Sequence, residues 1–222
     1  MPVNVSTYHD LMQKVGSHNA RLVAVSKTKP REDIMALYEL GHRDFGENRV
    51  AELVGKHADL PKDIRWHFIG HLQRNKVRDI APFVHLIHAV DSLRLLREIN
   101  KRATENNRVI SALLQFHVAE EDSKYGLKPQ GITAFSQELL ATPTPSVDLA
   151  GVMGMATYTD DTEQVNSEFK LLYDTFDKLK KDHFSDKDNF REISMGMSGD
   201  YPLALAQGST LVRVGSLIFG GR

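Results

Sequence analysis

The strongest constraint on this chain is the regular alternation of short apolar segments with amphipathic ones. Segments rich in branched and aromatic residues predict strands at residues 22–25, 44–46, 66–70, 86–90, 111–118, 149–155, 191–195 and 211–214. Apolar residues spaced three or four apart predict helices at residues 5–17, 31–40, 47–57, 72–80, 92–106, 129–141, 162–183 and 199–207. Alternation of this kind is typical of parallel sheets, and eight units favour closure. We therefore predict an α/β fold: a single (β/α)₈ TIM-like barrel domain over residues 1–222, with an extra N-terminal helix.

Composition excludes several classes of function. The 222 residues are 41% apolar and carry a net charge of −1, which gives no reason to expect a nucleic-acid or membrane partner. The absence of cysteine excludes disulfides, thiolate catalysis and cysteine-bound metals. We find no signal-peptide pattern, and no apolar stretch approaches the ~18 residues of a membrane span. We therefore expect a cytoplasmic protein.

A lysine follows the first predicted strand. Lys27 comes two residues after an apolar run, and Pro30 ends the extended segment. In parallel α/β folds, ligands bind at this end of the strands. An amine placed there can be partly desolvated, which lowers its pKa and makes it a Schiff-base nucleophile. The alternative is a lysine that only extends into solvent from a strand end, and this segment alone favours that alternative.

Small polar residues follow the seventh and eighth predicted strands. Ser198 and Gly199 come after the seventh strand, and Gly215 and Ser216 come after the eighth. These two loops form the usual phosphate site of a barrel, because glycine lets the backbone approach and free N–H groups bind an anion. Taken singly, each residue is equally consistent with an ordinary turn or a helix cap. Two such loops at adjacent strand ends favour a phosphate site.

Arg213 is a charged residue inside the otherwise apolar eighth strand. Burying an arginine is costly unless it is paired or hydrogen-bonded, so it belongs either to a structural ion pair or to a ligand site. A lysine on strand one, a phosphate site at strands seven and eight, and an arginine on strand eight together describe a site for pyridoxal 5′-phosphate (PLP). In such a site the lysine binds the aldehyde and the arginine faces the pyridine nitrogen.

Five segments of the chain resemble one known family. They are AVSKTKP (24–30), FGENRV (45–50), WHFIGHLQRNK (66–76), MGMSGD (195–200) and VRVGSLIFG (212–220). On these motifs the chain is identified as a member of the pyridoxal phosphate homeostasis protein family, which is similar in fold to the N-terminal barrel of alanine racemase. The motifs occur in the expected order and span the chain nearly from end to end.

The resemblance implies a complete cofactor site. Its implied residues are Lys27, Asn48, Ser198, Arg213, Gly215 and Ser216. Lys27 would carry PLP as a covalent internal aldimine, and Asn48 would line the pocket near the ring. Arg213 beside the pyridine nitrogen would keep that nitrogen unprotonated, because the cation disfavours a second positive charge nearby.

One segment departs from the family pattern. Phe116 and His117 stand where many relatives carry valine and asparagine, although Glu121 and the Lys124-x-Gly126 element are kept. Whether Phe116 or His117 touches the cofactor is left open.

Four histidines occur in two closely spaced pairs, His67 with His71 and His85 with His88. His67 and His71 are four apart, but the residues between them predict a strand and then a loop, and neither pair has the helix and intervening glutamate of a zinc-protease motif. We therefore expect structural or surface roles and no metal site, with His71 nearest to the pocket. Glu47 is expected at the barrel mouth, in a polar network with Arg49 and Lys76 or in exposed salt bridges.

The predicted function is a non-catalytic PLP carrier that supports PLP homeostasis and amino-acid and keto-acid balance. Racemisation needs acid–base groups on both faces of the cofactor, and the sequence shows none opposite Lys27. The alternative is a small PLP-dependent racemase that uses Tyr158 or Tyr201 as the second acid. A sugar-phosphate barrel enzyme with an aldolase-type Lys27 leaves Arg213 unexplained.

Because the chain ends soon after strand eight, we expect a monomer, with PLP-dependent apo-enzymes as possible acceptors.

Overall fold

The computed structural model describes residues 3–120 and 125–221. At its centre lies a closed barrel of eight parallel strands, arranged around the barrel in chain order. The strands are β1 (Arg21–Val25), β2 (Asp44–Glu47), β3 (Arg65–Phe68), β4 (Leu86–Val90), β5 (Ile110–Gln115), β6 (Val147–Met153), β7 (Glu192–Ser194) and β8 (Leu211–Val214). The predicted fold class is confirmed.

Helices surround the barrel. They are α1 (Val5–Ser17), α2 (Arg31–Glu39), α3 (Val50–Asp59), α4 (Val77–Ile80), α5 (Leu93–Glu105), α6 (Ile132–Leu140), α7 (Thr162–His183), α8 (Tyr201–Ala206) and α9 (Ser216–Phe219). Short 3₁₀ turns at Arg74–Lys76 and Pro129–Gly131 precede α4 and α6. Over the described ranges, none of the helices has the length and apolar character needed to span a membrane.

The extra N-terminal helix is present, and its start has a physical cause. The side chain of Asn4 caps α1 by accepting a hydrogen bond from the Thr7 N–H at 3.0 Å. The Asn4 N–H itself donates to the Ile218 carbonyl in α9 at 2.8 Å. The helix therefore joins the start of the chain to the segment that follows β8.

Element boundaries differ from the predicted ones where a loop competes with the sheet. The predicted strand 111–118 ends at Gln115, because the His117 N–H pairs with the Leu127 carbonyl instead of the neighbouring strand. The predicted helix 47–57 begins only at Val50, since Glu47 is the last residue of β2. The short helix α9 was not predicted.

The core has two layers because strand side chains alternate between the two faces of the barrel wall. Leu22 and Ala24 of β1 lie in the large layer between strands and helices, whereas Val23 faces the barrel interior. The apolar residues of the interior are Val23, Leu86, Leu113, Ala150, Met153 and Leu211.

Pairing of β1 with β8 closes the barrel. Leu22 is in register with Val212, and Val23 is in register with Arg213. The carboxyl ends of β7, β8, β1 and β2 consequently lie side by side at one end of the barrel. These are the four strand ends to which the sequence assigned its candidate site.

We expect Gly151→Ala to lower the free energy of unfolding by about 2–4 kcal/mol, because the new side chain adds overpacking to backbone strain. Gly151 lies in β6 with φ +147°, and a Cβ atom there would lie 1.9 Å from the Glu192 carbonyl oxygen. Urea unfolding followed by circular dichroism measures the change.

Gly55→Ala is the matched control for this substitution. Gly55 lies within α3, and no atom lies within 4 Å of its Cβ position. Alanine there should raise stability by about 0.5–1 kcal/mol. Equal effects of the two substitutions would contradict the close approach of β6 to β7.

Candidate functional site

The predicted site residues lie at four adjacent strand ends. Lys27 lies in the turn after β1, Asn48 directly follows β2, and Ser198 lies in the loop after β7. Arg213 belongs to β8, and Gly215 and Ser216 follow it. Because the barrel order is β7, β8, β1, β2, closure brings all of these positions to one mouth. Their common position supports the predicted set without testing the role of each residue.

Lys27 and its neighbour Lys29 have different surroundings. The residue is half-buried, and within the described ranges it makes no hydrogen bond or ion pair. Lys29, only two residues away, donates instead to the carbonyls of Phe219, Gly220 and Gly221 at 3.0–3.1 Å. Of the two neighbouring lysines, Lys29 is structural and Lys27 has its amine free.

A buried ion pair lies behind the turn of Lys27. The Lys56 ammonium donates to Glu47 Oε1 and to the Ser26 carbonyl, both at 2.7 Å. The Ser26 hydroxyl also donates to Glu47 Oε1, at 2.6 Å. Burial raises the pKa of Glu47, and the charge of Lys56 opposes that rise. This pair fixes the residue that precedes Lys27.

The residue that follows Lys27 is held by the same cluster. The Thr28 N–H donates to Glu52 Oε1 at 2.6 Å, and Glu52 lies 2.7 Å from Lys56. Thr28 has φ +66°, an uncommon conformation for a β-branched residue that costs of order 1–3 kcal/mol. The turn that presents Lys27 is therefore anchored on one side by the buried pair of Glu47 and Lys56 and on the other by the half-buried Glu52.

The expectation for Glu47 is wrong. It was placed in a mouth network with Arg49 and Lys76 or in exposed salt bridges, but it has no solvent exposure and pairs with Lys56. The sequence gives little signal for this pair, because Lys56 looks like any lysine on a surface helix. Only the packing of α3 against the ends of β1 and β2 makes it a buried partner.

Arg213 points into the barrel. It is 4% exposed, donates to Ser194 Oγ at 2.6 Å and donates to the Gly154 carbonyl at 3.0 Å. Burial lowers the pKa of the guanidinium to about 10, so it stays protonated at neutral pH. Over the described part of the chain it forms no salt bridge, which removes the structural ion-pair alternative there. Because these two acceptors are neutral, the buried guanidinium is suited to binding an electron-rich atom of a ligand.

The loops after β7 and β8 touch each other. The Gly215 N–H donates to Ser198 Oγ at 3.3 Å, and the N–H groups of Ser198 and Gly199 find no acceptor in residues 3–120 and 125–221. A Cβ on Gly215 would lie 2.8 Å from the Val25 carbonyl oxygen, so glycine lets this loop reach the end of β1. The Ser216 side chain is exposed. This arrangement fits an anion held by N–H and hydroxyl donors.

The opposite side of the mouth is formed by the segments after β3 and β5. The His71 ring stacks on the Tyr125 ring with centroids 3.9 Å apart, and its Nδ1 lies 3.4 Å from Asp91. The sequence left open whether Phe116 or His117 touches the cofactor. Phe116 packs in the layer between strands and helices, whereas His117 is half-buried, so His117 is the remaining candidate for that contact. The motif residues Glu121 and Lys124 lie outside the described residues.

Two of the four histidines are structural, which is one of the two roles expected for them. His67 and His88 are fully buried inside the barrel, and their rings are hydrogen-bonded to each other at 2.9 Å. The sequence does carry a signal for this, since each is a polar residue within an apolar strand, as Arg213 is. Reading the pairs only for metal spacing missed it.

We expect Lys56→Met to lower the free energy of unfolding at pH 7 by about 3–5 kcal/mol, because it leaves Glu47 buried without its cation. With Lys56 gone, burial raises the pKa of Glu47 further, because the cation that opposed the rise is lost and only the hydrogen bond from Ser26 still opposes it. The folded variant then binds a proton more readily than the unfolded chain. Its stability should fall as the pH rises above the ordinary glutamate value of 4.5 and recover below it. Urea unfolding at several pH values measures this.

Lys178→Met is the control. Lys178 forms an exposed pair with Asp182 at 2.8 Å, and its loss should change stability by no more than about 0.5 kcal/mol. A pH-independent loss in Lys56→Met, or equal losses in the two variants, would contradict the buried pair.

Comparison with known proteins places the barrel in a family. The family described as alanine racemase, N-terminal domain, matches residues 6–222. The chain is 38% identical over 208 residues to the pyridoxal phosphate homeostasis protein of Aquifex aeolicus (strain VF5), covering 93% of this chain and 89% of that protein. It is 38% identical over 214 residues to the human protein of the same name, covering 91% and 76%.

A solved structure agrees with these relatives. The structure of PipY from Synechococcus elongatus PCC7942 with PLP bound has a TM-score of 0.85 and 32% identity to this chain, and the match covers 97% of this chain and 99% of PipY. The chain therefore belongs to the pyridoxal phosphate homeostasis protein family, and its barrel is of the alanine racemase N-terminal type.

Proposed function

We propose that this chain binds PLP at the carboxyl end of its barrel and acts as a non-catalytic carrier in PLP homeostasis. The observation that carries the proposal is that one barrel mouth holds both Lys27 and Arg213. Within residues 3–120 and 125–221, the Lys27 amine makes no hydrogen bond or ion pair and the buried Arg213 forms no salt bridge. Relatives that carry the homeostasis name, and the PLP-bound PipY structure, support it.

The residues present fit this cofactor. PLP has an aldehyde, a phosphate and a pyridine nitrogen, and when bound it supplies an electrophilic carbon conjugated to an electron-accepting ring. Lys27 offers the amine for covalent attachment. The loops of Ser198, Gly215 and Ser216 offer donors for the phosphate, and the Ser198 and Gly199 N–H groups add two more. Asn48, half-buried after β2, completes the proposed pocket.

Arg213 favours holding the cofactor over using it. A fixed guanidinium disfavours a second positive charge on the pyridine nitrogen, and an unprotonated ring withdraws electrons less strongly. The role proposed for Arg213 therefore weakens the feature of PLP on which amino-acid chemistry depends.

The racemase alternative needs Tyr158 or Tyr201 as a second acid opposite Lys27. The side chain of Tyr158 is 97% exposed. Tyr201 begins α8, and its ring lies 5.3 Å from the Lys14 ammonium of α1. Neither position favours a second acid opposite Lys27, which supports the carrier over the racemase.

Borohydride reduction of the PLP-loaded protein should fix the cofactor's mass on the peptide that contains Lys27. We expect Lys27→Ala to lose this label and the visible absorption band completely. It should keep weaker binding of PLP, because the phosphate donors do not depend on the amine. Mass spectrometry and equilibrium dialysis provide the two measurements.

Lys29→Ala is the matched control, because that amine is committed to three backbone carbonyls. It should keep both label and colour. Label on Lys29, or a Lys27→Ala variant that still reacts, would overturn the attachment site. Complete loss of binding in Lys27→Ala would overturn the independent phosphate site.

The loaded protein should not exchange the α-proton of D- or L-amino acids in D₂O faster than an equal concentration of free PLP. It should restore activity to an apo form of a PLP-dependent enzyme. Proton NMR and a coupled assay follow the two processes. Rapid exchange would replace the carrier with the racemase alternative.

A further inference from the structure

A continuous hydrogen-bond chain runs through the barrel interior behind Arg213. Arg213 Nη1 lies 2.6 Å from Ser194 Oγ, which lies 2.9 Å from His88 Nδ1. His88 Nε2 lies 2.9 Å from His67 Nδ1, and His67 Nε2 lies 3.0 Å from Asp44 Oδ1. All five side chains are buried, and they come from β8, β7, β4, β3 and β2. The chain thus links the candidate site to the opposite end of the barrel.

Asp44 at the far end can only accept hydrogen bonds. The Arg65 guanidinium donates to both carboxylate oxygens, at 2.7 and 2.6 Å. Burial by itself would raise the pKa of Asp44, but the hydrogen bonds from Arg65 and His67 hold it well below its usual range. Asp44 is therefore ionised, and the His67 Nε2 that faces it must carry a hydrogen.

This requirement fixes the direction of every other bond. Burial lowers the pKa of both histidines, so each ring is neutral and carries one hydrogen. With its hydrogen on Nε2, His67 accepts at Nδ1 from His88 Nε2. His88 then accepts at Nδ1 from the Ser194 hydroxyl. The oxygen of Ser194 is left to accept from Arg213, which can only donate.

We propose that Ser194, His88 and His67 are positioning residues for Arg213. His88 holds the only hydrogen of the Ser194 hydroxyl, so that the serine presents a lone pair to the guanidinium in one fixed orientation. A serine without such an acceptor is free to rotate its hydroxyl, and the guanidinium loses a defined partner. The effect on PLP rests on the proposed function, whereas the hydrogen-bond chain itself belongs to the unloaded protein.

The first test measures the imidazole hydrogens directly. Long-range ¹H–¹⁵N NMR on the unloaded, histidine-labelled protein assigns the tautomer of each ring, with His67→Gln and His88→Gln spectra used for assignment. We expect His67 and His88 to be neutral with the hydrogen on Nε2. A charged ring, or a hydrogen on Nδ1 of His88, would contradict the assigned directions of these hydrogen bonds.

The second test uses the cofactor as a probe of Arg213. In Ser194→Ala the guanidinium loses its acceptor, and we expect the pH midpoint of the visible band of bound PLP to shift by about one unit. His88→Leu should shift it in the same direction, because the serine is kept but its hydrogen is no longer held. Ser194→Thr, which keeps the hydroxyl, should stay near the parent midpoint.

Ser209→Ala is the matched control. Ser209 is also buried, and its hydroxyl donates to the Met195 carbonyl at 2.8 Å. It is not one of the five residues that connect Arg213 to Asp44. It should leave the midpoint unchanged. A shift as large as that of Ser194→Ala would show a general effect of lost core hydrogen bonds and would overturn the proposal.

Folding and function are separated by the design. Circular dichroism reports whether each variant folds. If His88→Leu does not fold, Ser194→Ala, which removes a single oxygen, still tests the proposal. A parent protein that binds no PLP would overturn the proposed function, while the tautomer measurement would still test the hydrogen-bond directions between Arg213 and Asp44. A coloured parent with an unshifted Ser194→Ala overturns this inference alone.

Discussion

The pairing of β1 with β8 is the constraint on which the rest of the structure depends. It sets Leu22 beside Val212 and Val23 beside Arg213, residues from opposite ends of the chain. Since all strands are parallel, closure turns every carboxyl end to the same mouth. Lys27 and the loops of Ser198 and Gly215 are distant in sequence and become neighbours only through this pairing. Loss of closure would leave each of them an ordinary loop residue.

The interior of the barrel combines two kinds of filling. Six apolar side chains pack it, and a line of polar side chains crosses it from Arg213 to Asp44. Buried polar groups are tolerated only when they are hydrogen-bonded, and here each member of the line has a partner on both sides. An apolar core would be the simpler way to stabilise a barrel. Retaining a polar line that ends at the mouth is consistent with a functional reason for it.

The site is preorganised by charges that do not belong to it. Lys56, Glu47 and Glu52 lie behind the β1 turn and hold Ser26 and Thr28 on either side of Lys27. The resulting turn keeps one strained residue, Thr28, and among the described residues the Lys27 amine has no partner. Lys29 shows the contrast, because three carbonyls occupy its amine. The fold therefore gives two lysines of the same turn different surroundings.

The sequence by itself determined the barrel, its eight strands and the segments that form the mouth, because the apolar strand segments, the 3.6-residue periodicity of the helices and the family motifs are local signals. It also singled out Arg213, since a charge inside an apolar strand is visible without a structure. The end of β5 at Gln115 was beyond it, because a loop competes there for a backbone hydrogen bond. The end of β2 at Glu47 was also beyond it, because that limit depends on pairing with β3. Only the tertiary structure decided that Glu47 is buried against Lys56, and that His67 and His88 connect Arg213 to Asp44. Such pairings join residues far apart in the chain, and their hydrogen-bond directions follow from burial and neighbouring charge, which no local pattern encodes.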